Sequence, residues 1–369
     1  MQILPALDGG GVERGTLEIN RGLIERGYHS LVVSAGGRLV EQLEAEGGTH
    51  LKLDLGKKSP TSLLKAGKLR QAILAHQPDL VHVRSRMPAW VTLATWKLLS
   101  KRKRPRLLTT VHGLNSVNGY SRVMTYGERV ITVSNVCRDY VLKNYPQTDA
   151  GKITVIHRGV DSQKFPHGHR PDEKWLQQWW ADYPQLVGQF VVLLPGRLTR
   201  FKGHFDFLKV IDSLKQRGLP VHGLIVGGED PRRKKYAQSL REEVERAGLS
   251  GAVTFTGHRS DLREIMSISG AVVSTSILPP ESFGRTVLEA VKLGRPTIGY
   301  AHGGVGEVLS TVYPTGRVDL QDTNAMADKL EDVHRGELPP PEPTTEFELS
   351  AMVKKEIDLY ESMVAERKR

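Results

Sequence analysis

The chain has 369 residues, 39% of them hydrophobic and 25% charged, with a formal net charge of +11. That length exceeds one ordinary domain, so two are expected, and the composition is that of a soluble globular protein with real cores. A single cysteine, Cys137, excludes an internal disulfide, and no apolar run approaches the roughly 18 residues that a membrane-spanning helix needs.

The lone cysteine suits a reducing compartment. Met1 leads straight into ILPAL with no basic start and no long apolar stretch, so no signal peptide is expected. The basic balance favours a phosphate-rich partner, or simply keeps the chain in solution.

Strand and helix patterns alternate along the chain, which predicts parallel α/β sheets. The first strand is short and carries Pro5, so an irregular edge is expected there. SLVVS (30–34), LVHV (80–83), RLLTTV (106–111), RVITVS (129–134) and ITVIH (153–157) read as buried strands. Helical spacing predicts helices over 15–27, with Gly27 as the stop, over 61–74 and over 136–145. The stretch MPAWVTLATWKLLS carries Trp90 and Trp96 and runs into Lys101, Arg102, Lys103, Arg104 and Arg106. It reads either as a core helix ending in a solvated basic loop or as a surface for anionic membrane.

The pattern breaks over 160–188, where prolines, glycines and three tryptophans mark a crossover between domains. It then restarts. FVVLLPG (190–196), VHGLIVGG (221–228), VTFTG (253–257), AVVSTS (271–276) and RPTIGY (295–300) read as strands. Helices are expected over 204–218, 232–248 and 261–268. LPPPEPTTEF (338–347) is a Pro-rich connector. A last amphipathic helix follows, with Met352, Ile357, Tyr360 and Met363 on one side.

Doubly wound sheets bind ligands at the carboxyl ends of their strands. Gly9, Gly10 and Gly11 lie there in the first half, as an anion cradle or as a tight turn. In the second half, Arg197 and Lys202 in PGRLTRFKGH offer a guanidinium fork and an ammonium for a diphosphate, or are solvated loop charges. AHGGVGEVL (301–309) is a second Gly-rich loop, with Glu307 in the first helical turn. In PPESFGRTVLEA (279–290), Ser282 is the expected N-cap of a helix from about Gly284 to Leu293, with Gly294 as its stop. Glu281 then precedes the helix and Glu289 lies within it, suiting sugar hydroxyls and a ribose diol with helix amides between them for a phosphate. His82 and His112 are expected at strand ends of the first half, in structural or catalytic roles.

Together these stretches, with ITVSNVCRDYV, VIHRGVD and FTGHRSDLREI, resemble the retaining glycosyltransferases of family 4 over nearly the whole chain, and among them the bacterial enzymes of lipopolysaccharide core and surface glycans. The resemblance implies the GT-B fold: two Rossmann-like, doubly wound domains facing across a cleft, with a C-terminal helix crossing back to the first. The boundaries are then 1–160 for the acceptor-side domain, 161–188 for the crossover, 189–346 for the donor domain and 347–369 for the returning helix.

It implies as co-substrate a nucleotide-diphospho-sugar, a UDP-sugar foremost with GDP and ADP as alternatives, and no divalent metal or other cofactor. Consistent with this, the chain has no Asp-x-Asp motif. The implied acceptor is a phosphorylated or lipid-linked glycan, at the cytoplasmic face of a membrane, and nucleic acid is not an implied partner.

Carried over by position, Arg197 and Lys202 neutralise the diphosphate, Glu281 holds the sugar and Glu289 the ribose. Ser282, Phe283, Gly284 and Arg285 line the donor, Gly10 and Gly11 close over it, His112 contacts the sugar, and Arg259 and Leu262 flank the base. Arg158 stands where the family often has Asn, which bears on local hinge detail. A nucleic-acid-binding protein is motivated by charge alone, without a recognisable module. A nicotinamide oxidoreductase is disfavoured by the missing GxGxxG.

Overall fold

The protein is described from a computed structural model, which covers residues 1–57, 64–229 and 234–368. It divides into two compact units: Met1–Arg158 with Ser350–Arg369, and Gly159–Leu349.

The first unit runs β1 (Gln2–Ile3), α1 (Gly11–Glu25), β2 (Leu31–Ser34), α2 (Val40–Ala45), β3 (Thr49–Lys52), α3 (Ala66–His76), β4 (Leu80–Val83), α4 (Arg86–Lys97), β5 (Arg106–Val111), β6 (Arg129–Thr132), α5 (Asn135–Asn144) and β7 (Ile153–Val155). The second runs α6 (Glu173–Asp182), β8 (Phe190–Pro195), α7 (His204–Gln216), β9 (Val221–Val226), α8 (Lys234–Arg246), β10 (Val253–Gly257), α9 (Leu262–Ile268), β11 (Ala271–Ser274), α10 (Arg285–Lys292), β12 (Thr297–Tyr300), α11 (Gly303–Val312), β13 (Arg317–Val318) and α12 (Thr323–Arg335). The last helix, α13 (Leu349–Lys368), returns to the first unit.

Both sheets are wholly parallel, in the orders β3-β2-β1-β4-β5-β6-β7 and β10-β9-β8-β11-β12-β13. Each order reverses once, between β1 and β4 and between β8 and β11, and such reversals are where doubly wound sheets open a binding crevice. The physical cause is sequence patterning. LVHV, VHGLIV and AVVS are buried along their whole length, because helices cover both faces.

Several expectations change. β1 is central in its sheet and ends at Ile3, before Pro5, so the irregular edge expected there does not exist. α1 begins at Gly11, four residues earlier than its apolar spacing suggests. The expected helices over 61–74 and 232–248 begin in part outside the described residues. Residues 161–188 hold a helix and belong to the second unit: α6 stacks Trp175 on Trp179 and packs on that unit's core with Leu186, Leu193 and Leu293. In α4 the indole of Trp90 donates to the Tyr120 carbonyl and that of Trp96 to Pro105, which holds the helix against the first unit. The basic residues Lys101–Lys103 form an exposed turn beyond it.

His82 is not at an open strand end. It lies fully buried in β4, under α13. Tyr360 donates its hydroxyl proton to Glu356 at 2.8 Å. His82 Nδ1 must therefore donate to the Tyr360 oxygen at 2.5 Å, and its Nε2 accepts from Thr110 Oγ1 at 2.6 Å. Arg84, two residues on, is ion-paired with Glu356 and bonded to Gln2. Arg158 is 3.7 Å from Glu18 and crosses over Gly15, where a Cβ would meet its Nη2 at 1.8 Å. The arginine that departs from the family's usual Asn is thus part of the packing of α1.

Burial first, and then the charge of Arg84, lower the His82 pKa to about 4, so His82 is neutral in the fold. Burial works to raise the Glu356 carboxyl, but Arg84 and His82 override it and hold it well below its ordinary value. Glu356→Gln leaves Arg84 buried without its counter-charge and is expected to lower stability by about 3–5 kcal/mol, read by chemical denaturation. The sign of the pH effect follows from His82. The unfolded chain takes up its proton near 6.5, while the folded chain resists protonation down to about 4. The His82 contribution to stability is complete above 6.5 and falls as pH drops toward 4. Thermal unfolding across that range is expected to show the fall, with a shallower slope in His82→Gln.

Candidate functional site

At the reversal in the second unit, the loops after β8 and β11 carry the residues that the sequence pattern singles out. Arg197 is two residues beyond β8 and is exposed, with no ion pair among the described residues. A short 3-10 turn, Arg200–Lys202, follows, and Gly203 ends it at φ 65° before α7. Only glycine fits at 203. Besides the positive φ, a Cβ would lie 1.8 Å from the Thr275 carbonyl oxygen.

That close approach joins the two loops. The Thr275 hydroxyl donates to the Lys202 carbonyl at 2.8 Å, and the Ile277 amide donates to the Phe201 carbonyl at 2.9 Å. Between those bonds, Lys202 and Ser276 converge on one carboxylate. Lys202 Nζ is ion-paired with Glu281 Oε1, and Ser276 Oγ donates to the same oxygen at 2.6 Å. Burial pushes the Glu281 carboxyl up. The Lys202 charge, with the hydrogen bonds from Lys202 and Ser276, outweighs it, so the group sits below its ordinary value and is ionised. Lys202, expected against a phosphate, is thus ion-paired with Glu281.

The helix after Glu281 is α10, and its N-cap is Gly284 at φ 94°, with no side-chain cap. The expected Ser282 cap is therefore corrected. The loop before α10 packs on α11: the Gly304 amide donates to the Glu281 carbonyl at 2.7 Å, and a Cβ on Gly304 would lie 2.3 Å from Phe283 Cα. The loop carrying Ser282 and Phe283 thus lies directly on α11. Phe283 is buried edge-on to Phe347, with ring centroids 5.5 Å apart. Glu289 is 5% exposed and accepts from Arg285 Nε, one turn earlier, at 3.2 Å. Gly294 ends the element at φ 78°, as its position predicts.

Arg259 and Leu262 lie elsewhere in the unit, after the edge strand β10. The Arg259 guanidinium pairs in bidentate fashion with Asp261, at 2.9 and 2.6 Å, and Asp261 also accepts from the Trp175 indole at 2.8 Å. Leu262 packs against the α6 tryptophan cluster. The structure thus brings Lys202, Glu281, Ser282 and Phe283 into one set of touching loops and keeps Arg259 in a separate pair.

In the first unit, Gly10 is the N-cap of α1 and Gly11 its first residue. His112 follows β5 directly. Burial, then Arg158 and Arg84, hold its imidazole well below the ordinary value, so it is neutral and able to donate one hydrogen bond. A 760 Å³ cavity of this unit, between Met1, Tyr28, Leu80 and Tyr360, opens at the amino ends of the strands, away from these loops. The sequence reading missed Ser276. AVVSTS (271–276) reads as a strand to its last residue, whereas β11 ends at Ser274 and the serine turns to the carboxylate. A hydroxyl directly after a central strand at a sheet reversal was the available signal.

Comparison with known proteins bears on the family and the fold. A family model described as Glycosyltransferase Family 4 matches residues 9–164, and one described as Glycosyl transferases group 1 matches residues 181–343. The 2-deoxystreptamine N-acetyl-D-glucosaminyltransferase of Streptomyces fradiae is 27% identical, over 88% of this chain and 84% of that protein. A glycosyltransferase from Rickettsia africae superposes with a TM-score of 0.81 at 28% identity, covering 98% of this chain and 97% of that one. HepE of Anabaena, solved with UDP, superposes at 0.78 and 19% identity over 98% and 100% of the two chains, a likeness of fold. With a glycosyltransferase model matching within each of its two parallel-sheet units, this chain belongs to the family 4 glycosyltransferases and has their GT-B fold of two Rossmann-like domains.

Proposed function

We propose that this glycosyltransferase moves a sugar from a nucleotide-diphospho-sugar, a UDP-sugar in preference to a GDP- or ADP-sugar, to a lipid-linked or lipopolysaccharide-core glycan, with retention of anomeric configuration and without a divalent metal. The observation that carries the donor half is the meeting of Lys202, Ser276 and Glu281 at the reversal of the second sheet. In the transfer, the bond from the sugar's anomeric carbon to the diphosphate breaks, a bond to the acceptor hydroxyl oxygen forms, and the hydroxyl's proton leaves with the released diphosphate. Charge grows on the departing diphosphate, and cations fixed beside it lower the barrier. Arg197 and Lys202 are those cations in this reading. Glu281 receives hydrogen bonds from sugar hydroxyls and Glu289 from the ribose diol, while the amides at the start of α10, including those of Ser282, Phe283 and Gly284, face the phosphate end. UDP is favoured because HepE, a relative in fold, is solved with UDP and with UDP-glucose. The phosphorylated or lipid-linked acceptor is favoured by the net charge of +11.

A panel of nucleotide-sugars with and without chelator tests the donor. Turnover is expected with a UDP-sugar and undiminished by EDTA, with product configuration read by NMR. A strict need for added metal rules out cation-only assistance.

Separate roles for the two glutamates are tested by steady-state kinetics. Glu281→Ala is expected to lower kcat about a hundredfold or more. Glu289→Ala is expected to act mainly on donor KM, raising it about tenfold. Parent-like kinetics in either variant removes that residue from the site.

Contact with anionic membrane is a further part of the proposal, supported by the exposed turn Lys101–Lys103 beside Leu98, which is 64% exposed. Vesicles containing anionic lipid are expected to bind the protein, less so as salt rises, and replacing Lys101–Lys103 by glutamine is expected to weaken that binding. Binding unchanged by the substitution refutes the contact.

A further inference from the structure

We propose that Ser276 is a positioning residue of the donor site: its hydroxyl, together with the Lys202 ammonium, holds Glu281 through Oε1 and leaves Oε2 as the oxygen presented to the donor sugar. This rests on the donor-site reading above.

A carboxylate offers two oxygens and about four acceptor positions. On Glu281 both protein donors fall on Oε1. Among the described residues no group is bonded to Oε2, and the side chain keeps 23% of its exposure. The open acceptor positions are thus gathered on one oxygen.

Lys202 alone cannot set that orientation. An ammonium on a four-carbon stem attracts without fixing direction. It is also the group that a diphosphate draws away. The Ser276 hydroxyl has neither weakness. The residue is 6% exposed, so water cannot replace it freely. Its backbone is held on both sides to the turn that carries Lys202, through Thr275 to the Lys202 carbonyl and through Ile277 to the Phe201 carbonyl. The Gly203 approach to Thr275 fixes the spacing between the two loops. A charge-assisted bond of 2.6 Å from so rigid a donor holds the carboxylate plane while Lys202 is shared between Glu281 and the diphosphate.

The full-length protein carrying Ser276→Ala or Ser276→Thr tests this. For Ser276→Ala, kcat is expected to fall about tenfold or more, with donor KM within about twofold of the parent. The acid limb of the kcat/KM profile moves to higher pH, because removing a donor to the ionised carboxylate makes it easier to protonate. Ser276→Thr keeps the hydroxyl and restores most of the rate. A parent-like kcat and acid limb in Ser276→Ala overturn the proposal, as does a threonine variant as impaired as the alanine one.

Donor-free protein labelled with ¹³C at glutamate carboxyls gives a readout independent of activity, with the Glu281 signal assigned through Glu281→Gln. Glu281 is expected to titrate at higher pH in Ser276→Ala than in the parent, and coincident titrations overturn the proposal. Should the alanine variant fail to fold, Ser276→Cys, close in shape with a weaker donor, carries the same comparison. Absence of transfer by the parent from any nucleotide-sugar refutes the functional reading, while the carboxylate titration still decides the role of Ser276.

Discussion

Two neighbouring parallel strands lie about 4.8 Å apart. At a sheet reversal the loops that leave them diverge to helices on opposite faces. In the second unit, β8 and β11 are such neighbours, and their loops meet again beyond the sheet through Gly203 and the Thr275 carbonyl. That contact has room for backbone alone. It sets the register of the hydrogen bonds from Thr275 and Ile277, and through them the distance from Lys202 to Ser276. Glu281 then finds both donors already in place. The chemistry of the site therefore depends on an absent side chain at 203 more directly than on any buried apolar residue.

A second contact of the same kind continues the site. Gly304 lets the start of α11 lie against Phe283 and bond the Glu281 carbonyl. α10 follows, with Glu289 buried against Arg285 and, three residues on, Lys292 also buried. Lys292 is ion-paired with Glu348 and donates to Ser162 Oγ at 3.1 Å and to the Thr344 carbonyl at 2.8 Å. Its charge is offset within hydrogen-bond reach, as burial requires. One short helix thus ties a ribose-binding candidate to the segments at which the second unit begins and ends.

Much of this was legible in the sequence, for identifiable reasons. LVHV, RLLTTV and FVVLLP are strands within a residue of where their apolar runs predict, since β-branched residues buried on two faces leave few alternatives. Met352, Ile357, Tyr360 and Met363 share the buried side of α13 as their spacing predicts. Pairings between distant loops were not legible. Lys202 and Glu281 are 79 residues apart, and nothing local to either announces the ion pair. His82 reads as a strand-end histidine until Tyr360, 278 residues away, is placed over it. Residues 161–188 misled for a different reason. Prolines and glycines at the ends of the segment masked α6, whose tryptophans stabilise it through packing on the core and not through local propensity.

Lys202 with Glu281 and Arg285 with Glu289 are cation–carboxylate pairs, as is Arg259 with Asp261 elsewhere in the unit. The chain's excess of 11 positive charges is therefore not concentrated at these loops. Arg197 differs, being exposed at the end of β8 with no ion pair among the described residues. On the proposed reading, a diphosphate meets Arg197 first, while Lys202 must be shared with Glu281. Sharing weakens the hold of Lys202 on the ground state, and it becomes most favourable as charge builds on the departing diphosphate. The Ser276 bond lets Glu281 tolerate that change of partner without turning, which makes the division between an exposed arginine and a paired lysine useful to the reaction.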